Sequence, residues 1–461
     1  MTDDDRPDDL PAAAIAAAAS LHPECPDLRR LGPTRTEAVL RARAARVELD
    51  RGHRRGLWGR GLSRRRFLAA GAAGAAGLGA QLVTTRVSFA AAADTGTLVV
   101  IFLRGGMDGL SVVVPADDPH LVAARPNIAI PGNTLLPLDR GFGLHPALAP
   151  VHERWGRGQL TAVPAVSTPD ISRSHFQAQD CLERGGSTTG VAEGWLDRLL
   201  DVLGPGTTFR AVGQGSTLPR ALAGDQSALS LTSVEAFALA GWEDVHDKTR
   251  QALATLYTGL EHPLAGEAAA TLSALDTAEA LTASEYQPAA PYPDDELAEG
   301  LREVARLIKG DVGLRVASID AGGWDMHTNL GSLEGGQMQE RLTSLGEALG
   351  AFAADLGDRL DDVTVVTMTE FGRRVEQNAN NGTDHGHGAV VLALGGGLAG
   401  GTVHGAWQGL APEVRDQGDV PGTNDYRDVL GEIAGARLGV SAADLANVFP
   451  DHQLRPLGIM R

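Results

Sequence analysis

Four short, predominantly apolar runs, at residues 97–103 (TLVVIFL), 160–166, 314–319 and 363–369, constrain this chain more than any other feature. Each is too short for a buried helix and lacks the alternation of a half-exposed strand, so each reads as a strand buried on both faces. Longer stretches with helical spacing separate them. The clearest carries Met338, Leu342, Leu345, Leu349, Phe352 and Leu356 at steps of four and three, which is one apolar stripe facing a sheet. Strands alternating with helices predict an α/β fold, a mostly parallel central sheet with helices on both faces. In such a fold ligands collect at the carboxyl ends of the strands. The segment 262–300, rich in Ala, Thr, Glu and Pro, reads as a helical excursion or a surface segment rather than a separate domain.

Charge is distributed unevenly. The 461 residues carry a formal charge of -18, yet residues 1–93 hold 15 Arg against 10 acids, a net +5 that leaves -23 for the remainder. Nucleic acid and anionic lipid are therefore poor partners for the part beyond residue 93. The basic section contains Ser63-Arg64-Arg65-Arg66-Phe67-Leu68, which matches the twin-arginine export consensus, followed by a weakly hydrophobic Ala/Gly run to about Val83. Two small-x-small sites follow, one cutting before Ala91 and one before Asp94. Residues 1–62 then form an N-terminal extension of disordered character, 63–93 the twin-arginine signal peptide, and 94–461 a single α/β domain. The partner expected during export is the twin-arginine translocase, and the mature part is expected outside the cytoplasm. The Gly content of 71–79 makes the leader a weak bilayer span, so no stable membrane anchor is expected once it is removed. Of the two cysteines, Cys25 lies ahead of the leader and Cys181 beyond it, so the exported part forms no internal disulfide.

The strand ends carry the chemistry. After the first comes Arg104-Gly105-Gly106-Met107-Asp108-Gly109-Leu110, whose glycines let backbone approach a ligand closely. After the second comes Ser172-Arg173-Ser174-His175-Phe176, after the third Gly323-Trp324-Asp325-Met326-His327, and after the fourth Glu370-Phe371-Gly372-Arg373-Arg374. The loop Gly382-Thr383-Asp384-His385-Gly386-His387-Gly388 follows. In a parallel sheet these ends share one edge, so Asp108, His175, Asp325, His327, Glu370, Asp384, His385 and His387 can converge as ligands for divalent metal. Imidazole and carboxylate suit zinc, manganese or iron, and without thiolates a catalytic site fits better than a closed structural one. The cluster holds ligands for one ion or two. Arg104, Arg373 and Arg374 offer guanidinium groups to phosphate or sulfate oxygens. His145 and His404 read as turn residues, and Cys181 as a buried, inert thiol.

These motifs, RGG-x-DGL at 104–110, RSHF at 173–176, GWD-x-H at 323–327, EFGRR from 370 and GTDHG to 386, resemble the twin-arginine-exported bacterial family catalogued as domain of unknown function 1501. The resemblance runs from about residue 97 to the C-terminus. That family is similar in turn to the alkaline phosphatase and sulfatase superfamily, which implies an alkaline phosphatase-like α/β core with zinc, manganese, iron or calcium at the strand ends. By that resemblance Asp108 and Asp384-His385-Gly386 stand at metal-binding positions, and Ser172, Ser174 and His175 hold the nucleophile's place, with Ser174 the choice among them. The Asp325–His327 spacing is tighter than the superfamily's usual pair, and Glu370 stands where Asp is expected. The expected function is an exported metal-dependent hydrolase of phosphate or sulfate esters, small or polymeric, with Ser174, Arg104 and Arg373 acting on substrate. An exported, non-catalytic metal-containing binding or surface-organising protein is the alternative. An iron oxidoreductase is a third reading that no residue demands.

Overall fold

The computed structural model describes residues 96–461 apart from 187–190, 238–242, 258–263, 284 and 334; the expected extension and leader lie outside the described residues. Its strands are β1 (Thr97–Leu103), β2 (Val113–Pro115), β3 (Leu136–Pro137), β4 (Phe142–Leu144), β5 (Leu160–Ser167), β6 (Ala211–Gln214), β7 (Leu229–Leu231), β8 (Val316–Ala321), β9 (Val363–Met368), β10 (Ala389–Gly395) and β11 (Asn424–Asp425). The helices of seven residues or more are α1 (Ala149–Gly156), α2 (His175–Arg184), α3 (Trp195–Leu203), α4 (Glu243–Tyr257), α5 (Leu264–Thr282), α6 (Glu296–Lys309), α7 (Gln337–Leu356), α8 (Tyr426–Leu438) and α9 (Ala442–Val448).

Eight strands form one sheet in the order β11-β5-β10-β9-β1-β8-β6-β7, and β2, β4 and β3 form a small antiparallel sheet. In the large sheet every pairing is parallel except those of β10, which runs antiparallel to both β5 and β9. All four expected strands are present, with β8 beginning at Val316 rather than 314.

Strand β1 shows why the sheet is buried on both faces. Val99, Ile101 and Leu103 join one core with Leu301 and Val304 of α6 and with Leu342, Leu345 and Leu349 of α7. Leu98, Val100 and Phe102 point the other way, into a core with Trp195 and Leu199 of α3, Val429 and Ile433 of α8, and Val448 of α9. The strand's period of two thus feeds two helical layers, as a fully apolar run requires. Every member of the predicted α7 stripe is buried. Beyond α5, Tyr286 and Tyr292 donate to the buried Asp355 carboxylate, which also accepts from Lys309 Nζ and fastens this segment to α7. Among the described residues no helix is long and apolar enough to cross a membrane.

Candidate metal centre

Five chain segments meet at one edge of the sheet. The carboxyl ends of β1, β5, β8 and β9 deliver residues 104–108, 168–175, 322–327 and 369–374. Because β10 is reversed, its amino end lies on the same edge and delivers the loop 382–388. Gly105 has φ +128, and a Cβ there would lie 2.5 Å from Asp325 N, so only glycine lets the first loop pack on the third.

Asp325 is the hub. Its Oδ1 lies 3.0 Å from His327 Nε2, 3.1 Å from His385 Nε2 and 2.7 Å from Arg373 Nη2, while its Oδ2 lies 3.3 Å from His175 Nε2. His327 Nε2 and His385 Nε2 are 3.0 Å apart. One ligand atom from each of His175, Asp325 and His385 falls within 4.8 Å of the others. Asp325, His327 and His385 are largely shielded from solvent, and His175 opens toward it.

Each ring is held from behind. His175 Nδ1 lies 2.7 Å from Glu370 Oε1, His385 Nδ1 lies 3.0 Å from the Arg173 carbonyl, and His327 Nδ1 lies 3.2 Å from Asp384 Oδ1. Assigned from these partners, the neutral form of each ring carries its proton on Nδ1 and turns Nε2 toward Asp325. Burial raises the Asp325 carboxyl, but the three rings gathered on its oxygens and the Arg373 charge overcome it and hold it far below the usual range. Burial lowers His175, against which Asp325 and Glu370 lift it to about 9. His385, buried beside Arg373 and His175, is pushed down to about 4 and is neutral near pH 7.

The residues fit a divalent cation. Neutral His385 directs a lone pair at a carboxylate oxygen, an acceptor facing an acceptor, and the buried His175 Nε2 makes no hydrogen bond. A cation between these atoms relieves both conflicts. Imidazole rings backed by carboxylate or carbonyl acceptors are the usual outer support of such ligands.

The family profile described as "Protein of unknown function (DUF1501)" matches residues 158–424, more than half of the chain. The chain belongs to this family. No curated protein matches it by sequence. Among solved structures, the PsFucS1 sulfatase from Pseudoalteromonas sp. is similar at 12% identity and a TM-score of 0.35, over 80% of this chain and 73% of that chain.

Other sequence-predicted site residues of this DUF1501 chain stand elsewhere. Glu370 is fully buried with its oxygens taken by Gly105 N, His175, Gln179 and Thr369, so it supports His175 rather than facing the hub. Asp384, half exposed, backs His327 in the same way. Asp108 is not brought into the cluster: Arg125 grips it through Nη1 at 2.5 Å and Nη2 at 2.8 Å, and Ser111 Oγ donates to it. His387 points away, toward Asp416 and the Thr168 carbonyl.

Neither predicted substrate arginine is free. Arg373 is 1% exposed and donates to the carbonyls of Gly105, Gly106, Trp324 and Thr383 as well as to Asp325. Arg104 stacks on Phe102 and pairs with Glu183 and Asp320. The first-loop glycines accordingly serve close packing within the protein, against the Asp325 backbone and the Phe371 ring. Ser174 is the N-cap of α2, and its side chain makes no capping bond. His145 accepts from Ala147 N at a helix entry and His404 meets the Ala399 carbonyl, both as turn residues. Cys181 is buried, its thiol donating to the Gly186 carbonyl and pushed up to about 11 by burial.

Sequence reasoning missed Arg173, Gln179, Arg125 and Asp419 as supporting residues. The first two flank His175 at offsets of two and four, a signal that was available. Arg125 and Asp419 lie in loops with nothing local to mark them.

Proposed function

We propose that this chain is an exported hydrolase of phosphate or sulfate esters, dependent on a divalent ion held by His175, Asp325 and His385, with His327 at its flank. The observation that carries the reading is the set of three imidazoles with Nδ1 committed to acceptors and Nε2 converging on one buried carboxylate. A divalent ion there supplies Lewis acidity toward an ester oxygen. The protein's own part is orientation: Glu370, Asp384 and the Arg173 carbonyl fix the rings, and Arg373 fixes Asp325. Ser174, whose hydroxyl is not spent on capping, is the proposed nucleophile. Its Oγ bonds to phosphorus or sulfur as the alcohol leaves with a proton, and water then releases the group and restores the hydroxyl.

One observation favours the non-catalytic alternative. Arg373 already neutralises Asp325, and every guanidinium nitrogen of Arg104 and Arg373 already has a protein partner.

Elemental analysis of the purified mature protein, wild type against His385→Ala, separates the readings. About one zinc, manganese, iron or calcium per chain that disappears in the variant, with aryl phosphate or sulfate turnover abolished in Ser174→Ala, is the expected result. Metal without turnover of any ester in the panel favours the binding protein; no metal in either form ends the hydrolase mechanism.

A further inference from the structure

We infer that Asp419 is a positioning residue for the imidazole cluster, acting through Arg173. It touches none of the three rings. The inference extends the metal reading, since it concerns what holds one of that site's proposed ligands.

Three observations meet at Arg173. Its backbone sits at φ +55, the left-handed region that a side chain with a Cβ rarely adopts. Its carbonyl is the 3.0 Å partner of His385 Nδ1. Its guanidinium Nη2 lies 2.5 Å from Asp419 Oδ2, and Asp419 is wholly buried. The strained backbone therefore faces the site through its carbonyl and is tied down through its side chain, an arrangement that persists only where surroundings enforce it.

Asp419 is well anchored for this task. It forms a backbone bridge with Arg374, next in the chain to Arg373, and its Oδ1 lies 4.0 Å from Arg374 Nε. Gly418 O accepts from Val375 N on the same strip. The 416–419 loop is thus attached to the segment that carries Arg373, and through Arg173 to the segment that carries His175. Without the Asp419 carboxylate, Arg173 loses the partner that opposes its backbone strain. Relaxation toward the right-handed region turns the carbonyl off His385, and the ring is then free to protonate Nε2 instead of Nδ1. An Nε2–H cannot ligate, so the site loses one of its nitrogen donors.

The test compares two double variants with the same charges, Arg173→Gly/Asp419→Asn and Arg173→Ala/Asp419→Asn, alongside Asp419→Asn and wild type. Glycine accepts φ +55 without strain and alanine does not, so the pair differs only in backbone freedom at 173. Two readouts are taken: the Co(II) dissociation constant from absorption titration, and the His385 tautomer from imidazole 15N shifts in the ion-free protein. Asp419→Asn and the alanine double variant are expected to bind Co(II) roughly 10-fold more weakly or worse and to show mixed His385 tautomers. The glycine double variant is expected to stay near wild type in both readouts. Folded variants with wild-type Co(II) affinity and a uniform Nδ1–H tautomer throughout would overturn the inference. If Asp419→Asn fails to fold, the two double variants, which leave no buried charge unpaired, decide the question. If wild type binds no Co(II), the metal reading falls while the 15N comparison still judges Asp419.

Discussion

Replacing Arg125 with methionine strands a buried carboxylate. Asp108 is 2% exposed and Arg125 1%, and the two share a bidentate pair with no water-facing side. Removing one partner of such a pair costs about 3–5 kcal/mol, because the remaining charge stays desolvated. Arg125 also donates to the Val375 and Arg374 carbonyls, so the upper half of that range is expected. With an unfolding entropy of roughly 2.1 cal/mol/K per residue over residues 96–461, the melting temperature should fall by about 5–7 °C. The sign with pH follows from Asp108. Burial raises its carboxyl, but Arg125 overcomes this and lowers it below the ordinary value, so wild type gains stability above that value and loses it as pH falls. In the variant burial is opposed only by the Ser111 hydroxyl and the Arg373 charge, the carboxyl rises, and its penalty is relieved as pH falls. The gap between the two proteins should therefore narrow on acidification. Differential scanning fluorimetry between pH 7.5 and 4.5 measures it. A gap that stays constant or widens would refute the reasoning, and a folded Asp108→Asn protein that loses its bound metal would restore Asp108 as a ligand.

Glu370→Gln removes the carboxylate behind His175, and Co(II) affinity should fall roughly 10–100-fold; unchanged affinity would reduce Glu370 to a clamp on Gly105. Cys181, its thiol pushed up to about 11, should resist Ellman's reagent at pH 8 in the native protein and react at once in denaturant. Rapid labelling of the native protein would contradict its burial.

Local sequence determined much of this protein. Six consecutive apolar residues in β1 can be satisfied only between two helical layers, and the α7 stripe fits one of them. The Asp325 and His327 motif, His175 and His385 were legible because strand ends in such a sheet share an edge. Strand β10 was as apolar as the others but went unrecognised, and its antiparallel direction has no local signature. That direction is what brings the 382–388 loop to the site edge. Tertiary structure alone decided which polar residues face the hub. Asp108 and Asp325 look alike in sequence, each a carboxylate in a loop following a strand, yet one meets Arg125 and the other meets three imidazoles. Arg125 comes from 17 residues away and Arg173's anchor, Asp419, from the far side of the chain. A buried charge takes whichever counter-charge the packed chain places beside it, and sequence proximity does not set that choice.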